Sequence, residues 1–145
     1  MMAYKKILVA VDLSSEAKPV VARAREFSVQ YGSALCLIHV ADPIITEGDY
    51  ELRPALPLEV QETIVERARG YLDDLAQDMG ISGAERVVKV GSIKHEILHY
   101  AQKHDFDLIV IGTHGRHGVA ALLGSTANSL LHGTRCDVMC VRVGG

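Results

Sequence analysis

The chain contains no tryptophan, only three cysteines and no surplus of basic charge. Each shortage excludes something. Three is an odd number, so no paired disulfide framework is expected, and a reducing cytoplasm is the simplest setting. Cys36 and Cys140 lie inside apolar strand-like runs, where a free thiol is expected to act as a small hydrophobe. Cys136-x3-Cys140 lacks the C-x-x-C spacing of a redox pair. Lys and Arg number 15 against 18 Asp and Glu, a net charge of −3. Nucleic-acid binders usually carry a clear basic surplus or stripe, so no nucleic-acid partner is expected. No segment approaches the roughly 20 apolar residues that a membrane-spanning helix needs, so no membrane partner is expected either. The lysines and apolar residues near the start mimic a secretory signal only superficially. The apolar run there is short, and Asp12 interrupts it.

What is present is the composition of an ordinary globular protein, 48% hydrophobic and 23% charged, with no low-complexity stretch. At 145 residues the chain reads as one domain, 1–145, able to bury roughly 70% of its unfolded surface. Strand-like and helix-like patterns alternate along it. Residues 6–11, 35–40, 86–90, 107–111 and 137–143 form short apolar, β-branched runs, the mark of strands covered on both faces. Between the first two, Ala17, Val20, Ala24, Phe27 and Tyr31 recur at helical spacing, with Ser14 or Ser15 as N-cap and Gly32 as stop. A second helix follows Pro57, with Val60, Ile64, Ala68, Tyr71, Leu75 and Met79 as its inward stripe. Ser92 caps a third, with Ile93, Ile97, Tyr100 and Ala101 inward, and a short fourth runs from Ser125 to Leu131. Residues 42–57, with three prolines, read as a surface loop. Alternating strands and helices imply right-handed crossovers and an α/β fold: a single doubly wound five-stranded parallel sheet with helices on both faces.

The most informative stretch follows the fourth strand. Gly112, Gly115, Gly118 and Gly124 place four glycines between positions 112 and 124, and Ser125 and Thr126 come next at a helix start. Glycine lets backbone approach a ligand closely. A helix N-terminus adds unpaired N–H groups and the positive end of the helix dipole, which suits phosphate. Neither common phosphate fingerprint matches: the spacing is not G-x-G-x-x-G, and no G-K-[ST] is present. A glycine-rich turn that simply packs a helix onto a sheet would look the same. Asp12 ends the first strand, where a carboxylate can accept hydrogen bonds from ribose hydroxyls. Ligands of doubly wound sheets sit beyond the carboxyl ends of the strands, where strand order reverses. Asp12 could equally be a turn carboxylate.

His95-Glu96-Ile97-Leu98-His99 matches the zinc-protease pattern H-E-x-x-H. At 100° per residue both histidines fall opposite the inward stripe, toward solvent, and no third ligand is evident. His114 and His117 are better placed, within the glycine loop. No G-x-S-x-G elbow or spaced carboxylate pair is present, so no catalytic residue and no metal ligand set is assigned.

Three segments together, Lys5-Lys-Ile-Leu-Val-Ala-Val-Asp-Leu-Ser14, Leu37-Ile-His-Val40 and Asp107-Leu-Ile-Val-Ile-Gly-Thr-His-Gly115, resemble the universal stress protein (UspA) family in the right order over essentially the whole chain. The resemblance implies strand order 3-2-1-4-5 in an adenine nucleotide alpha hydrolase-like fold. It also implies a cytoplasmic homodimer paired through the last strand, 137–143, and a role in stress resistance. Members that bind ATP carry Gly-x2-Gly-x9-Gly-Ser/Thr; here eight residues, not nine, separate Gly115 from Gly124. Carried over by position, ATP with Mg²⁺ would meet Asp12 at the ribose and the Val40 backbone at the adenine. Gly112, Gly115, Gly124, Ser125 and Thr126 would surround the phosphates, and Ala10, Val11, Ile111, Arg116 and Gly118 would complete the nucleotide-binding set. The opening Met2-Ala-Tyr-Lys-Lys-Ile-Leu also resembles the UspA subgroup that binds no nucleotide. A nucleotide-free dimeric interaction protein and a slow ATPase therefore stand as the alternatives.

Overall fold

Residues 7–11 are apolar at every position because both faces of the strand they form are covered. Strand β1 (Lys6–Ala10) lies in the middle of a five-stranded parallel sheet. In this computed structural model, which describes residues 4–41, 57–113 and 136–143, Ile7, Leu8 and Val9 have no exposed surface. Side chains alternate along a strand, and the core divides accordingly. Ile7, Val9 and Val11 pack with α1 (Ala17–Tyr31) and α2 (Leu58–Asp78) on one face. Leu8 and Ala10 pack with α3 (Ile93–Lys103) on the other.

The remaining strands are β2 (Ala34–Ala41), β3 (Glu85–Val90), β4 (Leu108–Gly112) and β5 (Asp137–Val141). Their order across the sheet is β3-β2-β1-β4-β5, as the sequence resemblance implied. Successive strands step to one side of β1, then the chain crosses to β4 on its other side. That reversal creates a crevice at the carboxyl ends of β1 and β4. Two carboxylates tie the opposite end of the sheet. Asp107 accepts hydrogen bonds from the Lys5 and Lys6 backbone N–H groups at 2.9 and 3.1 Å, and Tyr4 donates to Asp137 at 2.8 Å.

Several local expectations need correction. Neither Ser14 nor Ser15 caps α1; Glu16 holds the N-cap position with no side-chain cap bond. The Ser14 hydroxyl donates upstream to Asp12 and accepts from the Glu16 N–H at 3.2 Å, just ahead of the helix. Ser92 does occupy the α3 N-cap position, yet its side chain makes no cap bond. Val60 begins the expected stripe of α2 but is 42% exposed, because the buried contacts of that helix begin only at Ala68. Cys36 is buried as expected, whereas Cys140 is exposed on the edge strand. The first and last strands are also shorter than their apolar runs, ending at Ala10 and Val141. Of the expected loop at 42–57, residues 42–56 lie outside the described residues, as does the expected helix at 125–131, while Pro57 holds the N-cap position of α2.

Candidate functional site

The crevice is built around the four residues that leave β1. The register Val9↔Val110, continued by two residues, sets Val11 level with Gly112. Val11 extends the ladder by donating to the Ile38 carbonyl at 3.0 Å. Its own carbonyl accepts a 2.8 Å hydrogen bond from His39 Nδ1. A carbonyl can only accept, so the proton sits on Nδ1.

Beyond Val11 the chain turns sharply. Asp12 Oδ1 accepts from the Ser14 backbone N–H at 3.0 Å and from the Ser14 hydroxyl at 2.6 Å. Leu13 between them has φ 65°, a left-handed conformation that costs a non-glycine residue about 1–2 kcal/mol. Strain of this kind persists only where neighbours over-determine it, and here they do. The Ser14 carbonyl accepts from Tyr71 Oη at 3.1 Å and from the Ala17 N–H at 3.0 Å. Burial raises the Tyr71 phenol pKa, and the nearby Asp12 charge raises it further, so the phenol stays a donor. The result is a rigid turn that fixes the Asp12 carboxylate by one oxygen at the mouth of the crevice. Among the described residues Oδ2 accepts no hydrogen bond.

Ala10, Val11, Asp12, Gly112 and Val143 line a narrow cleft here, closed on the α1 side by Glu16, Ala17 and Val20. Its room is about 10 Å³, that of a single water, so a ligand at this point would lie across the mouth, not inside. The side chains of Ala10, Val11 and Ile111 are buried in the core, which leaves backbone as their contribution. Val40 is likewise buried; it stands two residues beyond Ile38, the partner of Ala10, and so level with Asp12. Thus Ala10, Val11, Asp12, Val40, Ile111 and Gly112 converge at one end of the sheet. Gly115, Arg116, Gly118, Gly124, Ser125 and Thr126, the rest of the expected nucleotide-binding residues, lie outside the described residues, as do His114 and His117.

Three residues that shape the site were not expected from the sequence. His39 is a polar residue inside an apolar strand, and Tyr71 belongs to an inward helical stripe yet carries a hydroxyl that needs a partner; both facts were signals. Thr113 closes the other wall: its N–H donates to the Val141 carbonyl at 2.9 Å, and its hydroxyl accepts from Val143 N–H at 3.0 Å. Nothing local marks that role. No group of three or more His, Cys, Asp or Glu that could hold a metal occurs among the described residues. His95 and His99 are exposed, as their helical positions implied.

Comparison with known proteins agrees with this architecture. The family model described as "Universal stress protein family" matches residues 3–142. Universal stress protein A homolog 2 of Coxiella burnetii is 40% identical over 143 residues, spanning 98% of this chain and 97% of its own. The structure of universal stress protein UspA from Lactobacillus plantarum superposes with TM-score 0.71 at 27% identity, covering 96% of this chain and 98% of its own. A universal stress protein solved in complex with cAMP shares the fold at TM-score 0.61 and 23% identity, over 98% of this chain and 99% of its own.

Proposed function

The chain belongs to the universal stress protein family, and we propose that it works as a stress-response regulator that binds an adenine nucleotide, ATP foremost, across the β1/β4 crevice. The observation that carries this reading is the braced turn from Val11 to Ser14. It holds Asp12 one residue beyond the level of Gly112, in the cleft both line where strand order reverses. A carboxylate fixed through Oδ1 can take a ribose hydroxyl on Oδ2, while the Val40 backbone offers an amide edge to the adenine. Gly115, Arg116, Gly118, Gly124, Ser125 and Thr126 supply glycine backbone, a guanidinium and hydroxyls of the kind that hold phosphates, and Mg²⁺ would be shared with the phosphate oxygens. The protein of this fold bound to cAMP supports an adenine nucleotide as the ligand class. In this reading the protein is a cytoplasmic homodimer paired through β5, the outermost strand on its side of the sheet. Val138 and Cys140 are exposed on that strand, and pairing would cover its unpaired edge. One domain spanning 1–145 performs both tasks.

Calorimetric titration with ATP-Mg²⁺ and with AMP tests the reading. Asp12→Asn keeps an acceptor for Ser14 but removes the charge. A hydrogen bond to a charged group contributes about 1.5–3 kcal/mol, so Kd should rise roughly tenfold to a hundredfold. Gly115→Val should weaken binding through the phosphate end. Absence of heat with wild type at millimolar nucleotide would sink the proposal and favour the nucleotide-free dimer, consistent with the loop being one residue short. Steady phosphate release from bound ATP would instead mark a slow ATPase.

A further inference from the structure

The H-E-x-x-H segment plays no part in the crevice, but its two histidines form an arrangement of their own. His95 and His99 lie one turn apart on α3, and both are exposed. Their rings are stacked, with centroids 5.7 Å apart and planes 11° from parallel. The helix is anchored through the opposite face, where Ile97, Leu98 and Ala101 are buried. Neither imidazole makes a hydrogen bond or ion pair among the described residues. Glu96, the catalytic base in the protease version of the pattern, turns away to lie beside Gly91.

We infer that His95 and His99 form a surface chelate for one divalent transition-metal ion that favours imidazole, such as Ni²⁺, Cu²⁺ or Zn²⁺. An ion bound to two imidazole nitrogens at about 2.0–2.1 Å in a tetrahedral or octahedral sphere holds the ring centroids roughly 4.5–5 Å apart. From the stacked arrangement at 5.7 Å the rings must turn about their side-chain torsions so that one in-plane nitrogen of each points at the ion, and their exposure leaves room for that rotation. Residues at i and i+4 are neighbours on a helix surface, so the folded helix pre-orders both ligands. Two protein ligands leave the remaining positions to water, which makes the site a binding site, not a hydrolytic centre. Hard cations have no preference for imidazole, so Mg²⁺ and Ca²⁺ are not ligands.

Titration with Ni²⁺ followed by calorimetry, with Mg²⁺ as control, tests the inference. His95→Ala and His99→Ala alter exposed positions, where substitutions usually leave stability within about 0.5 kcal/mol. Each should weaken one saturable Ni²⁺ site by more than about tenfold, the least expected for a lost ligand given what outer-shell changes cost. The ion should also raise the melting temperature of wild type and not of either variant, because chelation clamps a turn of α3. Nickel should selectively broaden the imidazole resonances of His95 and His99. Unchanged affinity in either variant, or no saturable site in wild type, would overturn the inference.

Discussion

The imidazole of His39 and the carbonyl of Val11 meet at 2.8 Å, which locks the end of β1 to its neighbour β2 at the point where the chain leaves the sheet for Asp12. The bond joins residues 28 positions apart, and both partners are almost wholly buried.

Removing the imidazole should therefore loosen the candidate site as well as the sheet. His39→Leu leaves a buried carbonyl without this donor, at a cost of about 1–3 kcal/mol. His39→Asn, with an amide N–H placed near the Nδ1 position, should recover part of it. Urea unfolding of both variants decides whether the bond or the ring volume matters; equal losses would assign the effect to volume.

Stability should fall on the alkaline side. Burial pushes the Cys36 thiol up to about 12, with the Glu85 charge adding to it, and burial likewise pushes Cys136 to about 12. An unfolded thiol titrates near 8.5. Above that pH the unfolded chain has lost protons that the folded chain keeps, so each thiol's contribution is fully present below about 8.5 and is lost as pH rises toward 12. Equilibrium unfolding between pH 7 and 10 should show a declining midpoint, and Cys36→Ala should flatten the decline. At pH 8 a thiol-alkylating reagent should modify exposed Cys140 well before Cys36 or Cys136, as read by mass spectrometry of the labelled peptides.

Gly32 separates conformational cost from steric cost. It ends α1 with φ 68°, its N–H bonded to the Ser28 carbonyl, and a Cβ added there would meet nothing within 4 Å. Gly32→Ala should destabilise by about 1 kcal/mol through the left-handed backbone alone. Gly70→Ala, in the interior of α2 and equally open, should stabilise by several tenths of a kcal/mol up to about 1. Opposite signs in thermal melting are the expected result.

The proposed β5 interface can be tested without disturbing the sheet. Asp137 N–H donates to the Asp107 carbonyl, and the Val141 carbonyl accepts from Thr113 N–H, so odd-numbered residues of β5 bond to β4. Alternation turns the Cys140 N–H outward. Cys140→Pro removes that donor and no bond to β4. Analytical ultracentrifugation should show a weakened dimer with unchanged far-ultraviolet circular dichroism; an unaltered dimer would place the interface elsewhere.

The sequence by itself determined the elements and their class. Apolar runs such as Ile7–Val11 and the helical stripe from Ala17 to Ala24 record burial in their own period, and burial on both faces is a local property that composition reveals. Gly32 and the solvent side of α3, where His95 and His99 stand, were legible for the same reason. Asp12 was legible as a residue at the end of a strand, with a turn carboxylate among its readings, but its partners were not. Only the tertiary structure showed Asp12 held by Ser14, Leu13 forced into the left-handed region, and His39 and Tyr71 bracing the turn from β2 and α2. It also exposed Val60 and Cys140, whose patterns read as buried. Periodicity reports which face of an element is covered. It carries no information on which distant group supplies a hydrogen bond, or on where the covering layer stops.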